Sequence, residues 1–246
     1  MKNHRSCCPL GNTVVVIVAG TFVADWYAQF VYGSLKRAVE TRGYTVVILS
    51  IPRLGLGPMD AALDVMHAAL LQDYPAERFV LIGHSQGGSH IMGLKRRLGS
   101  RVVKTLQLSA PNHGTRLANL GGWLKAFPAI GNMAAHSPVL RELRSLEEIV
   151  EEVEAMEIVS VMSIFDQLVL PFFASVLKGA ENIVIAPKVF HPLLKKLGFR
   201  RSNGVELVDG IADHLSIISH GAVLRLIEKM FDDLESSETR GHLSPR

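Results

Sequence analysis

Hydrophobic positions along the chain fall into short unbroken runs separated by longer, helix-patterned stretches. The runs are TVVVIVA (13–19), YTVVIL (44–49), RFVLIG (78–83), VKTLQLS (103–109), IVSVMSI (158–164) and VELV (205–208), with NIVIA (182–186) a weaker one. Runs of Val, Ile and Leu that do not alternate with polar residues mark strands buried on both faces. Between them lie amphipathic segments such as Trp26–Thr41, Met59–Gln72 and Ser89–Leu98. Strand and helix in alternation predict an α/β protein built on a doubly wound, mainly parallel sheet of about six strands. No repeat or linker divides the chain, so one domain over 1–246 is expected, with flexible tails at 1–12 and 236–246.

One stretch breaks the pattern. LIGHSQGG (81–88) sets a Ser and a His among three glycines at the point where a strand should give way to a helix. Gly83-His84-Ser85-Gln86-Gly87 is G-x-S-x-G, and the strand–turn–helix setting is that of a nucleophile elbow. Such a turn is so tight that the residues two before and two after the Ser must be nearly free of side chain. The glycines relieve the crowding, and the Ser is held strained with its Oγ above the sheet.

A nucleophilic Ser needs a base, and the base needs a group to orient it. In the fold that carries such an elbow these follow in the order Ser, acid, His, each on a loop after a strand. Asp166, in SIFDQLVLP, comes directly after the 158–164 run and is the expected acid. The acidic stretch 147–157 is the alternative, although it precedes that strand on a helical pattern. Asp209 and Asp213 are too near the expected base to serve it from a separate loop. For the base, His214 stands after the 205–208 run and before a final helix, in VELVDGIADHLSIIS. His191 and His220 remain alternatives. His84 and His90 flank the elbow and should point away from it.

These segments resemble bacterial lipases and esterases of the α/β-hydrolase superfamily. LIGHSQGG is similar to their elbow, SAPNHGT (109–115) to the segment after their next strand, DQLVLP to their acid loop and DHLSII to their His loop. The resemblance implies Ser85 as nucleophile, Asp166 as acid and His214 as base. It departs in the first loop, where many of those lipases carry His-Gly and this chain has Ala19-Gly20-Thr21. The backbone donors of the oxyanion hole would then be Thr21 and Gln86, with Phe22 the second choice. His113 is expected to be structural. Carboxylic ester cleavage through an acyl-enzyme is the implied reaction. A thioester, an amide or another acyl acceptor would suit the same groups, and a catalytically silent binding protein is the rival from another class.

Composition narrows the partners. The net charge is +3 and the basic residues are scattered, which gives no nucleic-acid signature. The mean hydropathy of +0.24 is globular. Cys7 and Cys8 are adjacent and cannot staple the domain. No signal peptide or membrane-spanning run is visible, so a cytoplasmic protein is expected, secreted only if a leader lies outside this sequence. No ligand spacing suggests a metal, and no cofactor is expected. The apolar segment 119–145 carries Trp123 and Phe127 and sits where lipases place lids. It is read as an acyl-pocket wall or a mobile cover in transient contact with a lipid interface, with surface helices that close the core as the alternative. Phe22 is also expected near the substrate.

Overall fold

The computed structural model describes residues 12–115 and 158–242. Seven strands form one sheet: β1 (Thr13–Val18), β2 (Thr45–Leu49), β3 (Arg78–His84), β4 (Val102–Leu108), β5 (Ile158–Ser163), β6 (Glu181–Ile185) and β7 (Val205–Val208). Their order is β2-β1-β3-β4-β5-β6-β7, and every neighbouring pair is parallel. The weak run at 182–186 is therefore a full strand, which raises the expected six to seven. Glu181 and Asn182 dilute its apolar pattern, yet Ile183, Val184 and Ile185 bury on both faces.

Helices cover both sides. α1 (Asp25–Val31), α2 (Gly33–Glu40) and α6 (Gly221–His242) lie against the face that carries Val15, Ile17, Val80, Ile82, Leu106 and Val161. α3 (Met59–Asp73) and α4 (Gln86–Leu98) cover the opposite face, over Val14, Val16, Val18, Phe79 and Leu81. The short α5 (His191–Lys196) shields that second face further along, over Met162, Val184 and Val205. Alternate residues of one strand thus enter different cores, which is why the runs show no polar alternation.

Two expectations shift. The pattern over 26–41 is two helices broken at Tyr32, because the fully buried Tyr32 ring turns inward there. The polar stretch from Ser236 continues α6 as far as His242. That helix is tied to the N-terminal half of the domain. Arg42 bonds Asp232 and Glu235, Tyr44 Oη donates to Glu235 Oε1 at 2.9 Å, and the Tyr44 and Phe231 rings lie 4.5 Å apart. No helix among the described residues is long and apolar enough to cross a membrane.

The sheet order places a switch point. The connection from β1 runs to β2 on one side, and that from β3 runs to β4 on the other, so a crevice forms above β1 and β3. Ser85 and the 19–22 loop emerge there.

Phe231 is fully buried against Tyr44. Phe231→Ala is expected to cost about 3–5 kcal/mol of unfolding free energy in a denaturant titration. A loss under about 1 kcal/mol would mean that α6 adds little to the core.

Candidate active site

The elbow is a close crossing of two backbones. A Cβ on Gly83 would stand 2.5 Å from Gly87 O, and one on Gly87 would stand 2.5 Å from Ala19 O. Neither position can carry a side chain, as the sequence pattern required. Ser85 between them has φ 54° and ψ −128°, a conformation costing about 1–3 kcal/mol that the surroundings must enforce. Its N–H donates to Leu108 O at 2.8 Å, and its carbonyl accepts Gly88 N–H at 2.9 Å. Strand β4 and helix α4 thus fix the strained residue from both sides.

The loop after β1 lies against the Ser. A Cβ on Gly20 would come 3.2 Å from Ser85 Cβ. In this loop Gly20 N–H donates to Tyr32 Oη at 2.9 Å and Phe22 N–H donates to Leu54 O at 2.9 Å. Phe22 is therefore not a free donor, which removes it as the second choice for an oxyanion contact. Its ring is exposed at the mouth of the crevice. The Thr21 N–H between them has no acceptor among the described residues. Gln86 opens α4, where position alone leaves the first N–H groups without intrahelical acceptors. Its side chain braces the crevice: Thr21 Oγ1 donates to Gln86 Oε1 at 2.7 Å, and Gln86 Nε2 donates to Gly55 O at 3.0 Å.

Asp166 and His214 meet across two loops. His214 Nδ1 lies 3.0 Å from Asp166 Oδ1 and 2.9 Å from Oδ2, with both residues buried. Burial opposes ionisation of Asp166. The His214 ring and the Val169 N–H outweigh it and hold the carboxyl below its usual range. Leu168 N–H and Val169 N–H both donate to Asp166 Oδ1, at 2.9 and 2.8 Å. A carboxylate so held only accepts, so the neutral His214 ring carries its proton on Nδ1 and leaves the Nε2 lone pair unprotonated. His214 N–H donates to Gln167 Oε1 at 3.2 Å, a second tie between the two loops.

The alternatives for the base are engaged elsewhere. His191 Nε2 donates to Ala186 O at 2.9 Å, and His220 Nδ1 accepts Ala222 N–H at 3.2 Å at the start of α6. His113 Nε2 donates to Val176 O at 2.8 Å, a structural tie as expected. Asp213 accepts from Leu215 and Ser216 N–H, and Asp209 from Lys188 N–H. Trp123, Phe127, the 119–145 segment and the acidic stretch 147–157 lie outside the described residues. Among the described residues no cluster of His, Cys, Asp or Glu could hold a metal ion.

Sequence reasoning missed what His84 does. Its ring sits 4.8 Å from the His214 ring, and its Nε2–H donates to His214 O at 2.8 Å. Its Nδ1 then accepts from Tyr32 Oη at 3.0 Å, and Tyr32 Oη accepts Gly20 N–H. One chain of hydrogen bonds thus joins the loop after β1 to the main chain of His214. The elbow pattern leaves the residue before the Ser open, and Tyr32 sits inside a helical pattern. No spacing rule pairs them.

No protein-family model matches the sequence, and no curated protein does. Solved structures do resemble it. Aspergillus fumigatus lipase B is 18% identical with TM-score 0.60, over 88% of this chain and 52% of that one. An α/β superfamily hydrolase from Oenococcus oeni PSU-1 is 14% identical with TM-score 0.58, over 90% and 92%. A lipase-esterase related protein from Clostridium acetobutylicum ATCC 824 is 11% identical with TM-score 0.54, over 89% and 94%. This chain spans about half the length of the Aspergillus protein. The chain has the α/β-hydrolase fold.

Burial, followed by the electrostatic effect of the adjacent His214 ring, pushes the His84 pKa down to about 3. Between that value and the ordinary histidine value of about 6.5, the unfolded chain binds one proton more than the folded one. Stability is therefore expected to fall as pH drops through this window, with Asp166 adding to the loss as it protonates. Nitrogen-15 NMR should show the His84 ring neutral down to about pH 4, with the proton on Nε2. Protonation of that ring near pH 6 would refute the hydrogen-bond assignment.

Proposed function

We propose that this protein is a serine hydrolase that cleaves carboxylic esters with apolar acyl chains. The observation that carries the reading is the buried Asp166–His214 pair, held on the two loops after β5 and β7. It lies at the same sheet edge as a strained Ser85 and in the chain order that the reaction needs.

In this reading His214 Nε2 takes the Ser85 hydroxyl proton as Oγ attacks the ester carbonyl. Asp166 keeps the ring in the required tautomer and stabilises the imidazolium that forms. The amides of Thr21 and Gln86 receive the oxyanion of the tetrahedral intermediate, and the N-terminus of α4 adds partial positive charge. Collapse of that intermediate expels the alcohol, which takes its proton from His214. Water then attacks the acyl-Ser85 ester with His214 again as base. Collapse breaks the Oγ–acyl bond, returning the proton from His214 to Ser85 as the acid leaves.

A lipid-like substrate is supported by what surrounds the crevice. Phe22, Trp26, Phe30, Leu168, Ile211 and Leu215 are large, apolar and exposed, Trp26 by 82% and Phe30 by 80%. All stand on loops, or on the first helix, after the carboxyl ends of strands. Such a gathering on one edge suits an apolar ligand or contact with a lipid interface. The names of the Aspergillus and Clostridium structures point the same way.

Ser85→Ala is expected to lower kcat on p-nitrophenyl esters by about three orders of magnitude or more. His214→Ala should be nearly as severe, whereas His191→Ala and His220→Ala should cost far less. An intolerant His191 would transfer the base to the loop after β6. Absence of fluorophosphonate labelling at Ser85 would leave the fold as a non-catalytic scaffold. Across the ester series, kcat/KM should rise about tenfold or more from acetate to medium-length acyl chains. A flat or falling profile would remove the apolar acyl preference.

A further inference from the structure

Away from the elbow, the connection between β6 and β7 has an unusual composition. Residues 186–204, APKVFHPLLKKLGFRRSNG, hold five cations and no Asp or Glu. Lys188 has Asp209 at 3.9 Å and Arg201 has Glu206 at 3.4 Å. Lys195, Lys196 and Arg200 have no carboxylate partner among the described residues. Arg200 Nε donates to Lys195 O at 2.6 Å, which holds the guanidinium beside the lysine backbone.

Two cavities abut here. The first, of about 590 Å³, is lined chiefly by Leu170, Pro171, Phe173, Val176, Leu197 and Phe199. The second, of about 460 Å³, is lined by His191, Lys195, Arg200 and Arg201, with Glu206 occupied by Arg201. Phe199 and Val205 line both. An apolar cavity therefore adjoins a cationic one at Phe199 and Val205. Neither contains Ser85, Asp166 or His214.

We propose that this pair of cavities is a second ligand site, which binds a long-chain carboxylate. The chain occupies the apolar chamber and the carboxylate lies against Lys195 and Arg200. The first chamber falls within the size range of small-molecule sites, roughly 300–1,000 Å³. Arginine and lysine donors bind a carboxylate through charge-assisted hydrogen bonds, about twice as strong as neutral ones. A cavity of this volume favours a single chain over a membrane surface, which would not enter it. The far wall is the continuation of the acid loop. Thr115 Oγ1 donates to Leu168 O at 2.7 Å and accepts Leu170 N–H at 3.1 Å, two and four residues beyond Asp166. A bound chain would lie against the segment that carries the acid. The ester-hydrolase reading would supply such a ligand as product, but the binding itself does not rest on that reading.

The test titrates dodecanoate, below its micellar range, into the full chain carrying Ser85→Ala, by calorimetry at pH 8. One site is expected. Dodecanol and dodecyltrimethylammonium should bind at least about tenfold more weakly. The Lys195→Ala/Arg200→Ala double variant should lose about tenfold in dodecanoate affinity while its dodecanol affinity and melting temperature hold. Both positions are surface cations, so folding should survive, and circular dichroism checks it. Equal dodecanoate affinity in the double variant would overturn the proposal. So would binding to phosphatidylglycerol vesicles without binding to dodecanoate, which would make this edge a membrane contact. In the wild-type chain with Ser85 capped by an alkyl fluorophosphonate, dodecanoate should still bind. Its loss on capping would place the ligand in the elbow crevice and end the proposal. A chain that resists capping would instead count against the hydrolase reading, leaving the Ser85→Ala titration to decide the second site.

Discussion

The contact of two backbones at Gly83 and Gly87 is the constraint from which the site follows. Strand β3 and helix α4 can approach this closely only where neither carries a Cβ, and the carbonyls of β1 sit directly behind Gly87. That approach forces Ser85 into positive φ. The strain is sustained because both ends of the turn are held, by the sheet through Leu108 and by the helix through Gly88. A Cβ added at either glycine would push the helix off the sheet, and with it the side chains of Gln86 and the bracing of the first loop.

Much of this was legible in the sequence because it depends on local chemistry. Unbroken Val/Ile runs announced buried parallel strands, since the physical cause, burial on both faces, acts residue by residue. The glycines around Ser85 announced the elbow for the same reason. Asp166 and His214 were legible through order and loop position. Their distance was not, because it depends on how β5 and β7 are spaced by the intervening strand. β6 was nearly missed, as its first residues are polar: Asn182 is buried but spends its side chain on the carbonyls of Leu177 and Ala180. The break at Tyr32 was hidden for a similar reason. Helical periodicity there continues across a residue that turns inward for a partner fifty-two positions away.

His84 shows how a titratable side chain becomes architecture. Exposed, a histidine changes charge near neutrality and reports on pH. Enclosed between a phenol, a carbonyl and a second imidazole, it has one tautomer and one set of partners. The carbonyl can only accept, so the ring must donate from Nε2. Its other nitrogen must then accept, so the phenol must donate to it. The phenol's remaining lone pair takes the Gly20 amide. Each assignment forces the next, and three loops from distant parts of the chain are brought into register.

The two ends of that pair respond to opposite solutions. His84 resists protonation, so acid works against the folded state. Tyr32 resists ionisation: its burial pushes the phenol above its ordinary value of about 10, although the Gly20 amide pulls the other way. The unfolded chain would release that proton in alkali before the folded one could, so stability is lost again as pH climbs past about 10. Burial of this one hydrogen-bonded pair therefore sets a floor and a ceiling for the pH range in which the loop after β1 and the His214 loop stay joined.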